Sequence, residues 1–258
     1  MNPITSLRKK VKSSLFNLLL PSGFYFKQEG FCPCCSQNVT FFSNHHYLRD
    51  NFKCSNCHCI PRERALMFVL ENNYPNWKNL KIHESSPGSR GASAKIKKDC
   101  LNYAASQFFP EEKLGINIRS FRNEDLEDQT FEDETFDIVI TQDVMEHVYH
   151  PEKAFAEIAR TLKKGGAHIF TVPIINRHNK TEIWAKLDSN GNTVFLDEPE
   201  YHGNPITSQG SPVTMHWGFD IVDFIKESSG LETQIVHLDY LQLGIRADFI
   251  EVLISKKI

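Results

Sequence analysis

Two pairs of cysteines near the amino end have the spacing of metal ligands. The four residues are Cys32, Cys35, Cys54 and Cys57. Two Cys-x-x-Cys pairs can surround one zinc ion tetrahedrally, and a closed four-ligand site of this kind holds a fold together without an open position for catalysis. We therefore predict a structural zinc site within residues 31–64. Cys34, Cys59 and nearby histidines remain open as alternative ligands.

A second group of polar residues directly follows a predicted buried strand. Residues 136–141 form a short apolar run, which is typical of a parallel strand buried on both faces. A helix that begins at Pro151 and a second strand over residues 167–172 complete a strand–helix–strand unit. Ligands of such sheets bind beyond the carboxyl ends of the strands, so Gln142 and Asp143 should face a ligand.

Two histidines are candidates for a general base, because a neutral imidazole can accept a proton near pH 7. His147 lies one short turn beyond the strand end, and His202 lies in the polar stretch Tyr-His-Gly-Asn-Pro. His202 belongs to residues 174–218, where Asn190-Gly191 indicates a hairpin. This segment leaves the carboxyl end of a strand, and we predict that it folds over that edge as a substrate lid. The alternative bases are His216 and Asp143.

An ordered series of short motifs between about residues 80 and 173 resembles the class I S-adenosylmethionine-dependent methyltransferases of the small-molecule type. The motifs are Asn-Glu-Asp-Leu from Asn123, Thr-Phe-Asp-Ile-Val from Thr135, Glu-His-Val from Glu146, Arg-Thr-Leu-Lys-Lys-Gly-Gly from Arg160 and Thr-Val-Pro from Thr171. The resemblance implies an α/β fold with a Rossmann-like, seven-stranded, mostly parallel sheet that ends in an antiparallel C-terminal pair. It assigns residues 65–258 to this domain and implies S-adenosylmethionine as the cofactor.

The resemblance also places the methionine end of the cofactor at the loop after the first strand. Glu84 stands at the acidic position that ends this strand, and Gly88 stands at the central glycine of a Gly-x-Gly-x-Gly loop. Ser86 replaces the first glycine, and the third is displaced to Gly91. Glycine lets the backbone approach the cofactor where a Cβ atom would collide with it.

The other implied cofactor contacts come from later strand ends. Gln107 takes the place of a carboxylate that often accepts hydrogen bonds from the ribose hydroxyls. Asp125 and Leu126 take the place of the adenine contact, with a surface acid as the alternative for Asp125. For His147 the alternative is a structural role, because Glu-His recurs in the resembled family whatever the substrate.

The composition weighs against several classes of protein. The 258 residues include 29 basic and 32 acidic side chains, whereas dedicated nucleic-acid binders usually carry a basic excess. No apolar run approaches the about 20 residues of a membrane span. Cysteines clustered beside an α/β enzyme pattern favour a metal site in a reducing compartment, so we expect a cytoplasmic protein.

Residues 1–30 precede the segment with the clustered cysteines, which we call the cysteine module (residues 31–64). Basic side chains between Arg8 and Lys12 and an apolar helical stripe predict an amphipathic helix that packs on the body of the protein. Transient attachment to an anionic membrane surface is the alternative.

The resemblance therefore implies methyl transfer to a small molecule, such as a sugar-type metabolite. One alternative is an RNA-modifying methyltransferase that uses its zinc module to bind RNA. Another is a non-catalytic interaction module that retains the fold of a cofactor-binding enzyme. No motif in the sequence specifies an oligomeric state.

Overall fold

The computed structural model describes residues 25–203 and 209–258, so the predicted amphipathic helix before residue 25 lies outside the described residues. The strands are β1 (Phe26–Cys32), β2 (Gln37–Ser43), β3 (Lys53–Cys54), β4 (Lys81–Ser85), β5 (Asn102–Gln107), β6 (Asn117–Ile118), β7 (Phe121–Asn123), β8 (Phe136–Gln142), β9 (Leu162–Thr171), β10 (Glu182–Ile183), β11 (Ala185–Leu187), β12 (Thr193–Phe195), β13 (Tyr201–His202), β14 (Ser211–Pro212), β15 (Met215–His216), β16 (Glu232–Val236) and β17 (Val252–Lys256). The α-helices are α1 (Leu48–Asn51), α2 (Pro61–Asn73), α3 (Gly91–Asp99), α4 (Pro151–Thr161) and α5 (Ile221–Ser229). None of the helices in these two ranges is long and apolar enough to cross a membrane.

The largest sheet has eight strands in the order β16-β17-β9-β8-β4-β5-β7-β6. Strands β9, β8, β4, β5 and β7 run parallel to one another. β17 inserts antiparallel between β9 and β16, which forms the predicted C-terminal pair. The eighth strand, β6, pairs antiparallel with β7 at the far edge over two residues and adds to the seven that were predicted.

Helices cover both faces of this sheet because its central strands are apolar on both sides. Val139 and Ile140 are neighbours in β8, and both are fully buried in different apolar clusters. Val139 packs in the cluster that contains Phe155 of α4 and Ile225 of α5, whereas Ile140 packs in the cluster that contains Leu66 of α2. This alternation confirms the prediction that β8 is a strand buried on both faces.

The cysteine module, together with the preceding residues 26–30 of β1, forms a separate three-stranded antiparallel sheet from β1, β2 and β3. Its Phe41 and Phe52 are fully buried and belong to the same apolar cluster as α2. Arg64 of α2 is also fully buried, with its guanidinium 4.6 Å from the centroid of the Phe41 ring. The Arg64 side chain donates hydrogen bonds to the backbone carbonyls of Phe52 and Gly244. The module therefore shares its core with the helices of the main sheet.

The described residues of the 174–218 segment, 174–203 and 209–218, form three small two-stranded ladders next to the carboxyl edge of β8 and β9. β10 pairs with β15, β11 with β12, and β13 with β14. The predicted hairpin is present as β11–β12, where Gly191 adopts a left-handed φ of 79°. One carboxylate oxygen of Asp188 accepts hydrogen bonds from the backbone N–H groups of Asn190 and Asn192 and fixes the turn.

Candidate active site

A cavity of about 1110 Å³ opens at the carboxyl ends of three parallel strands. Ser85 of β4, Gln107 of β5 and Gln142 of β8 contribute to its floor. The cysteine module contributes Tyr47 and Arg49 to one wall. Residues of β13, β14 and β15 form another wall, so these strands of the 174–218 segment lie against this cavity.

Most of the residues that the sequence links to a cofactor line this one cavity. They are Ser86, Gly88, Gln107, Asp125, Leu126, Gln142 and Asp143. Ser86 takes a left-handed φ of 54°, and the chain then turns so that the glycine position faces open space. A Cβ atom built on Gly88 would find Ser93 Oγ at 3.7 Å as its closest protein neighbour. The loop therefore leaves room where the sequence places the methionine end of the cofactor.

Glu84 does not line the cavity, because its side chain lies beneath the loop and is fully buried. Its carboxylate accepts hydrogen bonds from Ser93 Oγ at 2.6 Å, Tyr103 Oη at 2.8 Å and Gln142 Nε2 at 2.9 Å. Burial raises the pKa of Glu84 against the lowering effect of these three bonds. In this arrangement Glu84 orients Ser93 and Gln142, which do reach the cavity.

The carboxylate of Asp143 is held by two arginines of the amino-terminal part of the chain. Arg49 Nη2 donates to Asp143 Oδ2 at 2.6 Å, and Arg62 Nε forms an ion pair with the same oxygen at 2.8 Å. Thr171 donates its hydroxyl to the other carboxylate oxygen at 2.8 Å. Burial raises the pKa of Asp143, but the two guanidinium groups outweigh it and lower the pKa to about 2. Asp143 therefore ties the cysteine module to the cavity edge.

Asp125 and Leu126 lie on the loop after β7, next to the floor of the cavity. Asp125 Oδ1 accepts a hydrogen bond from the backbone N–H of Glu127 at 2.9 Å, and the other carboxylate oxygen has no hydrogen-bond partner among the described residues. Burial raises the pKa of Asp125. Leu126 is almost fully buried and packs in the same cluster as Val139. An acceptor oxygen and an apolar side chain thus lie side by side at this edge of the cavity.

The two histidines proposed as bases lie together although 54 residues separate them in the chain. The rings of His147 and His202 meet edge to face with centroids 5.0 Å apart. His147 Nδ1 lies 2.8 Å from the carbonyl oxygen of Pro212, while His202 lies between the carboxylates of Glu146 and Glu200. The pKa of His202 is raised, chiefly by the nearby carboxylate of Glu146, although burial of the ring lowers it. Sequence reasoning missed the carboxylate of Glu146, which is 1% exposed.

The four paired cysteines converge in the cysteine module. Their Sγ atoms all lie within 4.8 Å of one another. Cys32 and Cys57 are 3.8 Å apart at sulfur, and Cys35 and Cys54 are 3.9 Å apart, with no disulfide among them. A second grouping joins Cys32 to Cys34 and Cys59, and its Cys32–Cys59 distance is 3.4 Å. Both groupings supply thiolates at distances that a zinc ion can bridge, so the alternative ligands stay open.

Comparison with known proteins finds a family match over the middle of the chain. Residues 93–170 match the family model described as Methyltransferase domain. This stretch runs from α3 through β9 and includes the strand ends that carry Gln107, Gln142 and Asp143. The comparison with curated proteins finds no match.

Several solved structures are similar to this chain at low identity. An S-adenosylmethionine-dependent methyltransferase from Mesorhizobium loti is 14% identical, with 74% of this chain and 96% of that chain covered and a TM-score of 0.46. The complex of the Haloferax volcanii Trm112 methyltransferase activator with a methyltransferase contains a chain that is 16% identical, with 76% and 90% covered and a TM-score of 0.48. The Burkholderia thailandensis 1,6-didemethyltoxoflavin-N1-methyltransferase, bound to 1,6-didemethyltoxoflavin and S-adenosylhomocysteine, is 8% identical, with 75% and 76% covered and a TM-score of 0.44.

Proposed function

We propose that this chain, a class I S-adenosylmethionine-dependent methyltransferase, transfers the methyl group to a hydroxyl of a small polar acceptor bound beneath residues 174–218. The single observation that carries this proposal is the placement of His147 and His202 in the cavity that also contains the predicted cofactor residues. The cavity of about 1110 Å³ exceeds the about 300–1000 Å³ of a pocket for one drug-sized ligand. It therefore has room for the cofactor and a small acceptor together.

The proposed cofactor pose runs from the loop after β4 to the loop after β7. The methionine end lies against Gly88, where a side chain would take its space. The side chain of Gln107 accepts from the ribose hydroxyls, and Asp125 accepts from the adenine amino group while Leu126 covers a ring face. Gln142 lies at the end of the central strand, close to the acceptor side of the pose.

The proposed reaction is an in-line displacement, in which positioning and exclusion of water lower the barrier. A histidine takes the proton of the acceptor hydroxyl, the oxygen attacks the methyl carbon, and the sulfur keeps the electron pair of the broken C–S bond. His147 Nε2 and His202 Nδ1 are the ring nitrogens on the side of Glu146. The side chain of His147 is 16% exposed and that of His202 is 39% exposed, so an acceptor can reach both rings.

The proposal includes a structural zinc ion bound by Cys32, Cys35, Cys54 and Cys57. When bound, zinc would supply a cross-link between two parts of a module that has only three short strands. The module positions Arg49, whose guanidinium holds Asp143 at the cavity edge. Zinc in this proposal has no part in the methyl transfer itself.

The test is a comparison of His202→Ala with His237→Ala in methyltransferase assays on hydroxylated metabolites, with S-adenosylhomocysteine release as the readout. His237 is a matched control because it is 63% exposed at the side chain and does not line the cavity. We expect His202→Ala to bind S-adenosylhomocysteine with nearly unchanged affinity and to lose turnover, while His237→Ala keeps both. Turnover that survives in a folded His202→Ala protein would contradict the assigned role of His202.

A further inference from the structure

The carboxylate of Glu146 is buried without a hydrogen-bond partner. Its side chain is 1% exposed and lines the cavity, and among the described residues neither Oε1 nor Oε2 has a partner at hydrogen-bond distance. The backbone carbonyl of Glu146 accepts from Thr214 N at 2.8 Å and from Thr214 Oγ1 at 3.0 Å, which fixes this residue against the lid segment. A positive charge beside this carboxylate would offset the cost of burying it without hydrogen bonds.

Two imidazole nitrogens lie near the same carboxylate oxygen. His147 Nε2 and His202 Nδ1 are each 3.7 Å from Glu146 Oε1. This distance is too long for a hydrogen bond. It is close to the separation of two ligands that share one ion, because bonds of about 2.1 Å at a tetrahedral angle place the ligand atoms about 3.4 Å apart. The three ligand atoms all lie within 4.8 Å of one another.

The outer nitrogen of each ring faces an oxygen acceptor. His147 Nδ1 is 2.8 Å from the carbonyl oxygen of Pro212, and His202 Nε2 is 3.4 Å from Glu200 Oε1. An N–H at each outer nitrogen leaves the lone pair of each inner nitrogen directed toward Glu146. Metal-ligating histidines are oriented in this way, with the distal N–H donated to a carbonyl or a carboxylate.

We propose that Glu146, His147 and His202 bind a divalent first-row transition-metal ion at the acceptor end of the cavity. Two imidazoles and one carboxylate are a ligand set that leaves a coordination position open to a substrate. The donors come from two separated parts of the chain, the loop after β8 and strand β13. Binding of metal would therefore also hold the lid segment against the sheet edge.

The catalytic role of this ion rests on the proposed function, whereas its binding does not. An acceptor hydroxyl at an open position would be more acidic than in water, because the ion stabilises the alkoxide. The proton leaves to solvent, the oxygen forms a bond to the methyl carbon, and the C–S bond breaks with its electron pair on sulfur. The products are a methyl ether and S-adenosylhomocysteine. With the ion bound the two histidines act as ligands, whereas in the metal-free protein one of them takes the proton of the acceptor as proposed above.

The experiment titrates the full zinc-loaded chain with Mn²⁺ alone and counts the unbound ion by electron paramagnetic resonance. Mn²⁺ suits this purpose because it is paramagnetic and because the thiolates of the cysteine module select zinc, so Mn²⁺ does not replace the zinc there. We expect about one Mn²⁺ per chain and at least a tenfold weaker affinity in both Glu146→Gln and His202→Ala. Glu152→Gln is the matched control, since Glu152 is 3.5 Å from His150 in an exposed pair outside the cavity. It should bind Mn²⁺ as the wild-type chain does.

Zinc content and the affinity for S-adenosylhomocysteine report whether each variant is folded. His202 is 39% exposed at its side chain, so His202→Ala keeps the test decisive if Glu146→Gln fails to fold. Absence of Mn²⁺ binding by the wild-type chain, or an unchanged affinity in a folded His202→Ala protein, overturns the metal site. Methyl transfer without any dependence on Mn²⁺ also removes its catalytic role while leaving the proposed methyltransferase function in place. If the wild-type chain does not bind S-adenosylhomocysteine, the proposed function is refuted, whereas the conclusion from the metal titration still stands.

Discussion

Replacing Asp143 with asparagine should destabilise the protein, because two buried guanidinium groups would lose their counter-charge. The side chains of Arg49 and Arg62 are 9% and 19% exposed, and that of Asp143 is 12% exposed. The pKa of Asp143 falls from its ordinary value of 3.8 to about 2. At about 1.4 kcal/mol per pKa unit this corresponds to roughly 2 kcal/mol of stability. Removal of one partner of a buried ion pair typically costs about 3–5 kcal/mol.

We therefore expect Asp143→Asn to lower the free energy of unfolding by about 2–4 kcal/mol at pH 7. The loss is smaller than for complete removal of the partner, because the amide oxygen of asparagine can still accept a hydrogen bond from an arginine. The native carboxylate has the lower pKa, so its contribution is fully present above the unfolded pKa near 4 and is lost as the pH falls toward 2. The difference between variant and wild type should accordingly persist from pH 7 to pH 5.

The assay is urea unfolding followed by circular dichroism, with Arg49→Met and the double variant completing a cycle. The coupling energy between Asp143 and Arg49 should be about 1–3 kcal/mol. Asp248→Asn is the control, because Asp248 and its partner Arg177 are 69% and 52% exposed and an exposed pair contributes less than about 1 kcal/mol. The reasoning is refuted if Asp143→Asn costs no more than this control, or if the coupling energy is zero.

Three further predictions concern the metal module, the loop and the lid. Cys32→Ser should lose zinc in metal analysis whereas Cys34→Ser should retain it, and zinc loss in Cys34→Ser would select the other ligand grouping. Gly91→Ala should lower the free energy of unfolding by more than Gly165→Ala in urea titrations. Both glycines have a left-handed φ, 60° and 79°, where a side chain costs about 1–3 kcal/mol of strain, but only a Cβ atom on Gly91 would collide with the carboxylate of Glu63. Equal losses would show that the loop relaxes. Hydrogen exchange in the β11–β12 hairpin should slow when S-adenosylhomocysteine is added, and an unchanged rate would count against closure of the lid.

Local patterns in the sequence predicted the parts of the fold that depend on neighbours in the chain. The apolar run of β8, the helix that opens at Pro151 and the hairpin at Asn190-Gly191 all lie within short segments whose periodicity or turn chemistry determines their structure. The cavity was predictable for the same reason, since parallel strands bring their carboxyl ends to one edge.

The contacts between distant segments could not be read from the sequence. Arg49 meets Asp143 across 94 residues, and no local pattern distinguishes this arginine from one on a solvated surface. Glu84 occupies the expected strand end, yet its carboxylate points beneath the loop because Ser93 and Tyr103 are there to donate to it. The contact between the rings of His147 and His202 likewise depends on how the strand that carries His202 folds back toward the loop after β8.

The most direct test of the central claim is a calorimetric titration of the wild-type chain and of Gly88→Val with S-adenosylhomocysteine. The claim is that the cofactor lies in this cavity against the loop after β4. Gly88 has no left-handed φ, and its closest protein neighbour would be 3.7 Å from an added Cβ, so the variant should fold and keep its melting temperature. We predict one binding site in the wild-type chain and none in Gly88→Val. No binding by the wild-type chain, or an unchanged affinity in Gly88→Val, would contradict the account.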